Sequence, residues 1–121
     1  MAKQALFVYG TLHPDHAPPE IAKDVSRFVP VGRGTIRGEL EQMPEYPAVR
    51  VAARGGNRVE GTVFELPDDP GLLSRLDGYE EFDPANPDES LFIRKKLHVT
   101  LANGKRRSCW VYVYNRAQDA A

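Results

Sequence analysis

The sequence predicts an α+β fold, a curled mixed sheet or small barrel carrying two short helices. Three observations carry that expectation. Segments that read as strands outnumber those that read as helices roughly three to one. The 121 residues include 10 Gly and 10 Pro, which keeps long helices from dominating. Between two alternating segments stands Asn103-Gly104, the strongest short signal for a β-hairpin. A chain of this length makes one domain, residues 1–121, with enough buried surface for one real core.

The elements follow in order. Ala5-Leu6-Phe7-Val8-Tyr9 is a short apolar run ended by Gly10 and predicts a strand. Pro14, Pro18 and Pro19 forbid regular structure until about Glu20. Glu20 to Arg27 predicts two helical turns, with Ile21 and Val25 on one face. Phe28 to Leu40 reads as extended strand with bends at Gly32, Gly34 and Gly38. Pro44 and Pro47 mark a turn, Ala48 to Val51 a short strand, and Gly55-Gly56-Asn57 a tight turn. In Val59 to Leu66, alternation puts Val59, Gly61, Val63 and Glu65 on one side and Thr62, Phe64 and Leu66 on the other. A second helix follows, capped by Asp69, with Pro70 in its first position and a stripe of Leu72, Leu73 and Leu76. Gly78 is expected to end it in a left-handed conformation. Phe82 to Ser90, with Pro84 and Pro87, reads as irregular. The final hairpin, with a two-residue turn at Asn103-Gly104, pairs Ile93 with Tyr114, Leu97 with Trp110 and Val99 with Ser108. Its apolar face then carries Ile93, Leu97, Val99, Leu101, Trp110, Tyr112 and Tyr114. Its solvated face carries Arg94, Lys96, His98, Thr100 and Arg107.

Composition excludes several function classes. Hydrophobic residues make up 41% of the chain, a globular value. The longest apolar run, Cys109 to Tyr114, is too short for a membrane-spanning helix. The start, Met1-Ala2-Lys3-Gln4, does not read as a secretory signal. Basic and acidic residues number 16 and 17, for a net charge of −1, so no global field favours nucleic acid or anionic membrane. The single Cys109 excludes an intrachain disulfide and a cysteine zinc cluster, which points to a reducing, cytoplasmic setting. Its place in an alternating strand beside Trp110 predicts a packing role. His13 and His16 lack ligands at matching spacing, so no metal is expected there. The basic clusters Arg94-Lys95-Lys96 and Lys105-Arg106-Arg107 read as a solvated hairpin face.

Two segments carry candidate chemistry. Tyr9-Gly10-Thr11-Leu12 follows the first strand directly. A Gly there lets the chain turn so that successive N–H groups converge on an anion, although a plain strand-ending turn reads the same way. Leu76-Asp77-Gly78-Tyr79-Glu80-Glu81 places a carboxylate just past a helix pinned to the core. Burial of Glu80 would raise its pKa and make it a better proton acceptor. The competing reading is a solvated acidic loop of Asp77, Glu80, Glu81 and Asp83.

Taken together, Tyr9-Gly10-Thr11-Leu12, Val59-Glu60-Gly61-Thr62-Val63-Phe64-Glu65 and Leu76-Asp77-Gly78-Tyr79-Glu80 resemble the gamma-glutamylcyclotransferase-like family. That family includes the AIG2-like and gamma-glutamylamine cyclotransferase proteins. Phe92-Ile93-Arg94 and Trp110 to Asn115 complete the pattern, which spans Leu6 to Asn115. The resemblance implies a small mixed, mostly antiparallel β-barrel flanked by two short helices. It implies conversion of a γ-glutamyl amine or related γ-glutamyl compound to 5-oxoproline plus free amine. Tyr9, Gly10, Thr11 and Leu12 would hold the glutamyl group and Glu80 would be the general base. It implies no metal, nucleotide or flavin cofactor and a small-molecule γ-glutamyl partner. The charge balance leaves no nucleic-acid or membrane partner expected, and a monomer is the default. The alternative is a non-catalytic module that captures a carboxylate or amide ligand in the same cavity. The chain departs from the family pattern at three places. Many relatives carry Gly where this chain has Glu81, a basic or polar residue where it has His13-Pro14, and Tyr where it has Phe92. The last departure makes Tyr112 or Tyr114 the candidate phenol donor.

Overall fold

The structure is a computed structural model that describes residues 4–9, 17–42, 47–51 and 58–114. Gly10, Thr11, Leu12, His13, His16 and the Gly55-Gly56-Asn57 turn lie outside the described residues. In chain order the elements are β1 (Ala5–Val8), α1 (Pro19–Val25), β2 (Val29–Gln42), β3 (Pro47–Val51), β4 (Arg58–Glu65), α2 (Leu72–Tyr79), β5 (Phe92–Leu101) and β6 (Arg106–Tyr114). A 3₁₀ turn, Pro87–Glu89, interrupts the segment before β5.

Five strands close into a barrel in the order β2-β4-β1-β6-β5, with β5 returning to β2. All pairings are antiparallel except β1 with β6. β3 extends the sheet from β2. The expected α+β barrel with two short helices is therefore what the chain adopts.

Alternation along the strands makes two cores. The barrel interior holds Phe7, Ile36, Val59, Val63, Val99, Cys109, Val111 and Val113, mostly β-branched side chains suited to a pleated wall. The second core lies between the barrel's outer face and the helices, where Leu6, Val8, Phe64 and Tyr112 meet Ile21, Val25, Leu72 and Leu76. β1 faces both cores, which is why all four of its residues are buried and its sequence is continuously apolar. Cys109 is buried in the interior, as expected of a packing residue, and burial pushes its thiol up to about 11.

β2 bends where the sequence placed its first glycine. Pro30 faces Phe64 and Gly32 faces Val63, so Val31 is the extra residue of a β-bulge. Gly34 sits where β2 meets β5. A Cβ there would lie 2.6 Å from Val99 Cγ1 and 3.2 Å from the Thr100 carbonyl oxygen, so closure needs a residue without one.

The hairpin differs from the expectation by one residue. The Leu101 carbonyl accepts the Gly104 N–H, and the Leu101 N–H donates to the Lys105 carbonyl. Ala102, Asn103 and Gly104 thus form a three-residue loop, with Gly104 at φ 87°. This is a type I turn closed by a left-handed glycine and a bulge, rather than the two-residue turn with two positive φ values. Asn103 instead accepts the Lys105 N–H through its side chain. Leu97 therefore faces Cys109, not Trp110, and Ile93 faces Val113, not Tyr114. The side-chain period is two, so this slip exchanges faces. Cys109, Val111 and Val113 join Ile93, Leu97, Val99 and Leu101 inside. Trp110, Tyr112 and Tyr114 turn outward, beside Arg94 and Lys96.

Candidate active site

Helix α2 sets the site. Its apolar stripe buries Leu72 and Leu76 completely and Leu73 partly. The Asp69 side chain does not cap the helix, whose N-cap is Gly71. The Asp69 carboxylate accepts the Gly71 N–H at 3.0 Å and the Asp69 carbonyl accepts the Leu72 N–H. Arg75 ties the start of α2 to α1 by a two-pronged contact with Asp24, 2.9 and 3.0 Å, and a further bond to Asp69. The Arg75 guanidinium holds the Asp69 carboxyl down to about 2.

The other end of α2 corrects a second expectation. The helix runs through Gly78 to Tyr79, and the left-handed residue is Glu81, at φ 59°. The Phe82 N–H donates to the Asp77 carbonyl at 2.8 Å and the Glu81 N–H to that of Gly78 at 3.2 Å. This pair of bonds is a Schellman motif, and Glu80 is the residue at its C-cap. A glycine would suit the position of Glu81 better, since a left-handed backbone strongly favours one.

Glu80 is half-buried against the barrel. Loss of water raises its carboxyl from the ordinary range to about 7, and the neighbouring Glu81 charge adds to the rise. One turn back in α2, Asp77 is 4% exposed. Arg94 of β5 grips it with two bonds, Nε to Oδ1 at 2.8 Å and Nη2 to Oδ2 at 3.1 Å. The Tyr112 phenol donates to Oδ1 at 2.6 Å. Burial and that bond hold Tyr112 well above its ordinary range, with smaller contributions from nearby charges that include Glu80. Tyr9, at the end of β1, donates its phenol to the Tyr112 carbonyl. Arg94 and Lys96 both lie 4.3 Å from the centroid of the Trp110 ring.

Of the expected site residues, Tyr9 bonds the Tyr112 carbonyl, and the charge of Glu80 acts on the Tyr112 phenol. The Tyr112 hydroxyl proton is committed to Asp77, so this residue is not a free phenol donor. Phe92 is buried edge-on to Tyr114 with ring centroids 5.9 Å apart. Sequence reasoning missed Asp77 and Arg94, assigned to a solvated acidic loop and a solvated basic face. The signal that finds them is the hairpin register: once Trp110, Tyr112 and Tyr114 face the helices, so does Arg94.

Residues 6–121 match the family model described as gamma-glutamyl cyclotransferase, AIG2-like. The chain belongs to this family. No curated protein sequence matches the chain. Among solved structures, an AIG2-like protein from Mus musculus is 24% identical with a TM-score of 0.73, over 98% of this chain and 82% of that one. A gamma-glutamyl cyclotransferase is 14% identical with a TM-score of 0.67, over 97% and 69%. The protein At5g39720.1 from Arabidopsis thaliana is 21% identical with a TM-score of 0.68, over 98% and 74%. At these identities the structures establish the shared fold. Membership of the gamma-glutamyl cyclotransferase family supports a cyclotransferase-type function and enzyme status in general. No helix among the described residues is long and apolar enough to cross a membrane.

Proposed function

We propose that this protein is a cofactor-independent cyclotransferase that converts a γ-glutamyl amine or related γ-glutamyl compound to 5-oxoproline and free amine, with Glu80 as general base. The observation that supports this reading is the carboxyl of Glu80, raised to about 7 at the end of a helix locked to the barrel. A base poised near the operating pH combines a populated carboxylate with a strong pull on the proton. The reaction is intramolecular. The substrate's α-amine loses its proton to Glu80 and attacks the γ-carbonyl. The five-membered ring closes through a tetrahedral intermediate, and Glu80 returns the proton to the departing amine. Holding the substrate folded supplies much of the rate as orientation. Tyr9 and the segment Gly10-Thr11-Leu12 would hold the glutamyl group, with backbone N–H groups suited to its carboxylate or to the developing oxyanion.

The competing reading, capture of a small carboxylate or amide without turnover, has no use for a base. Both are separated by assaying 5-oxoproline release from a panel of γ-glutamyl amines and dipeptides. Glu80→Gln keeps the shape and cannot accept a proton, so the variant should fold and lose roughly two to four orders of magnitude in turnover. Full turnover in Glu80→Gln overturns the assignment. No turnover by the parent protein on any member of the panel favours the binding module.

A further inference from the structure

β2 pairs with β5 only through Gly34–Leu101 and Thr35–Thr100. From Ile36 onward β2 and β5 part, although Ile36 and Arg37 stay paired with Val59 and Arg58 of β4. The opening is a cleft of about 510 Å³. Ile36 and Leu97 supply apolar lining. Arg37, Arg58, Arg106, His98 and the Thr35–Thr100 pair supply the polar lining, and no acidic side chain among the described residues takes part.

The cleft gathers exposed charges of one sign. Arg37 and Arg58 are direct cross-strand partners, and like charges in that position repel. Among the described residues, none of the three arginines makes an ion pair. Two arginines of the neighbouring hairpin behave differently: Arg94 is spent on Asp77 and Arg107 on Glu65. The cleft is also separate from the candidate active site. Neither Glu80 nor Tyr9 lines it, and His98 lies four residues along β5 from Arg94, about 13 Å of strand.

We propose that this cleft is a second ligand site, for a small phosphate monoester, with the phosphoryl group among Arg37, Arg58 and Arg106 and the organic part against the half-buried Leu97. Guanidinium forks match phosphoryl oxygens two at a time, and a dianion balances more of the three charges than a carboxylate does. The volume suits a ligand of metabolite size. Nucleic acid fits less well, because the described lining holds no Phe, Tyr or Trp ring for a base to stack on and the net charge of −1 gives no attracting field.

The test is titration of the full chain with phenyl phosphate, inorganic phosphate and a short single-stranded RNA, followed by amide and arginine Nε–H NMR signals. Phenyl phosphate should shift residues 35–37 and 97–100 saturably and bind more tightly than inorganic phosphate. Arg37→Gln/Arg58→Gln should weaken it about tenfold or more. The single variant Arg37→Gln should melt no lower than the parent, because it relieves a repulsion, so lost binding there is not lost folding. Absence of saturable shifts up to about 10 mM, or equal affinity in the double variant, overturns the site. Equal affinity for inorganic phosphate overturns the ester assignment, and tighter binding of the RNA at the same residues overturns the small-molecule assignment.

Discussion

Glu80 and Glu81 are adjacent carboxylates with opposite structural roles. Glu80 closes the helix and loses water; Glu81 stays exposed but takes the left-handed backbone conformation. Each choice costs stability. A carboxyl raised to about 7 keeps its proton in the folded chain, whereas the unfolded chain releases it near 4.5. The folded state therefore binds more protons between those values, so the contribution of Glu80 is intact below about 4.5 and is lost as pH rises through about 7. The loss amounts to at most about 3 kcal/mol. Glu80→Gln should accordingly be more stable than the parent at pH 8 and similar to it at pH 4, as read by denaturant unfolding at both pH values. Glu81→Gly should act differently. Relief of the left-handed strain, offset by the greater freedom of glycine in the unfolded chain, gives a net gain of about 0.5–1 kcal/mol. Removal of the neighbouring charge should also move the Glu80 carboxyl below about 7, visible in a carboxyl NMR titration. A lower melting temperature in Glu81→Gly would contradict the Schellman geometry.

At the scale of elements, α2 is fixed from both ends by ions of different value. The Arg75 cluster with Asp24 and Asp69 is exposed enough for water and salt to screen it. The Asp77–Arg94 pair is not, with side chains 6% and 15% exposed. Removing one member leaves a buried charge without its partner. Arg94→Met should therefore destabilise the domain by about 3–5 kcal/mol, while Arg75→Met should cost much less. Comparable melting temperatures for the two variants would show that Asp77 does not anchor the helix. The same pair links the hairpin to the candidate site, because Glu80 lies three residues beyond Asp77 on the helix that Arg94 holds against β5. The two-residue reading of the Asn103-Gly104 turn broke that link. Both turn types place a glycine at positive φ, so the dipeptide alone does not distinguish them. Which one forms is decided by which face of β6 packs better inside, and Cys109, Val111 and Val113 fit a narrow barrel that Trp110, Tyr112 and Tyr114 would overfill.

At the scale of the whole molecule, closure between β2 and β5 turns a sheet into a barrel. The Cβ missing from Gly34 is what permits it, since both Val99 and the Thr100 backbone stand in its way. Gly34→Ala forces the buried Val99 side chain to shift and presses on the Thr100 carbonyl oxygen, and should cost about 1–3 kcal/mol in denaturant unfolding. An unaffected variant would mean that the seam relaxes freely. The sequence by itself determined the fold class, both helices, the alternating strand β4 and the place of Glu80 after a leucine stripe. Each of these rests on local periodicity or on short-range turn chemistry. Glu80 and the Tyr9 segment were legible as candidates through family motifs. Only the tertiary structure decided the hairpin register, the burial of Asp77 and Arg94, and the left-handed role of Glu81. Register is a choice between two faces that alternate equally well in sequence, and a charged residue reads as solvated until its partner, 17 positions away, is brought to it.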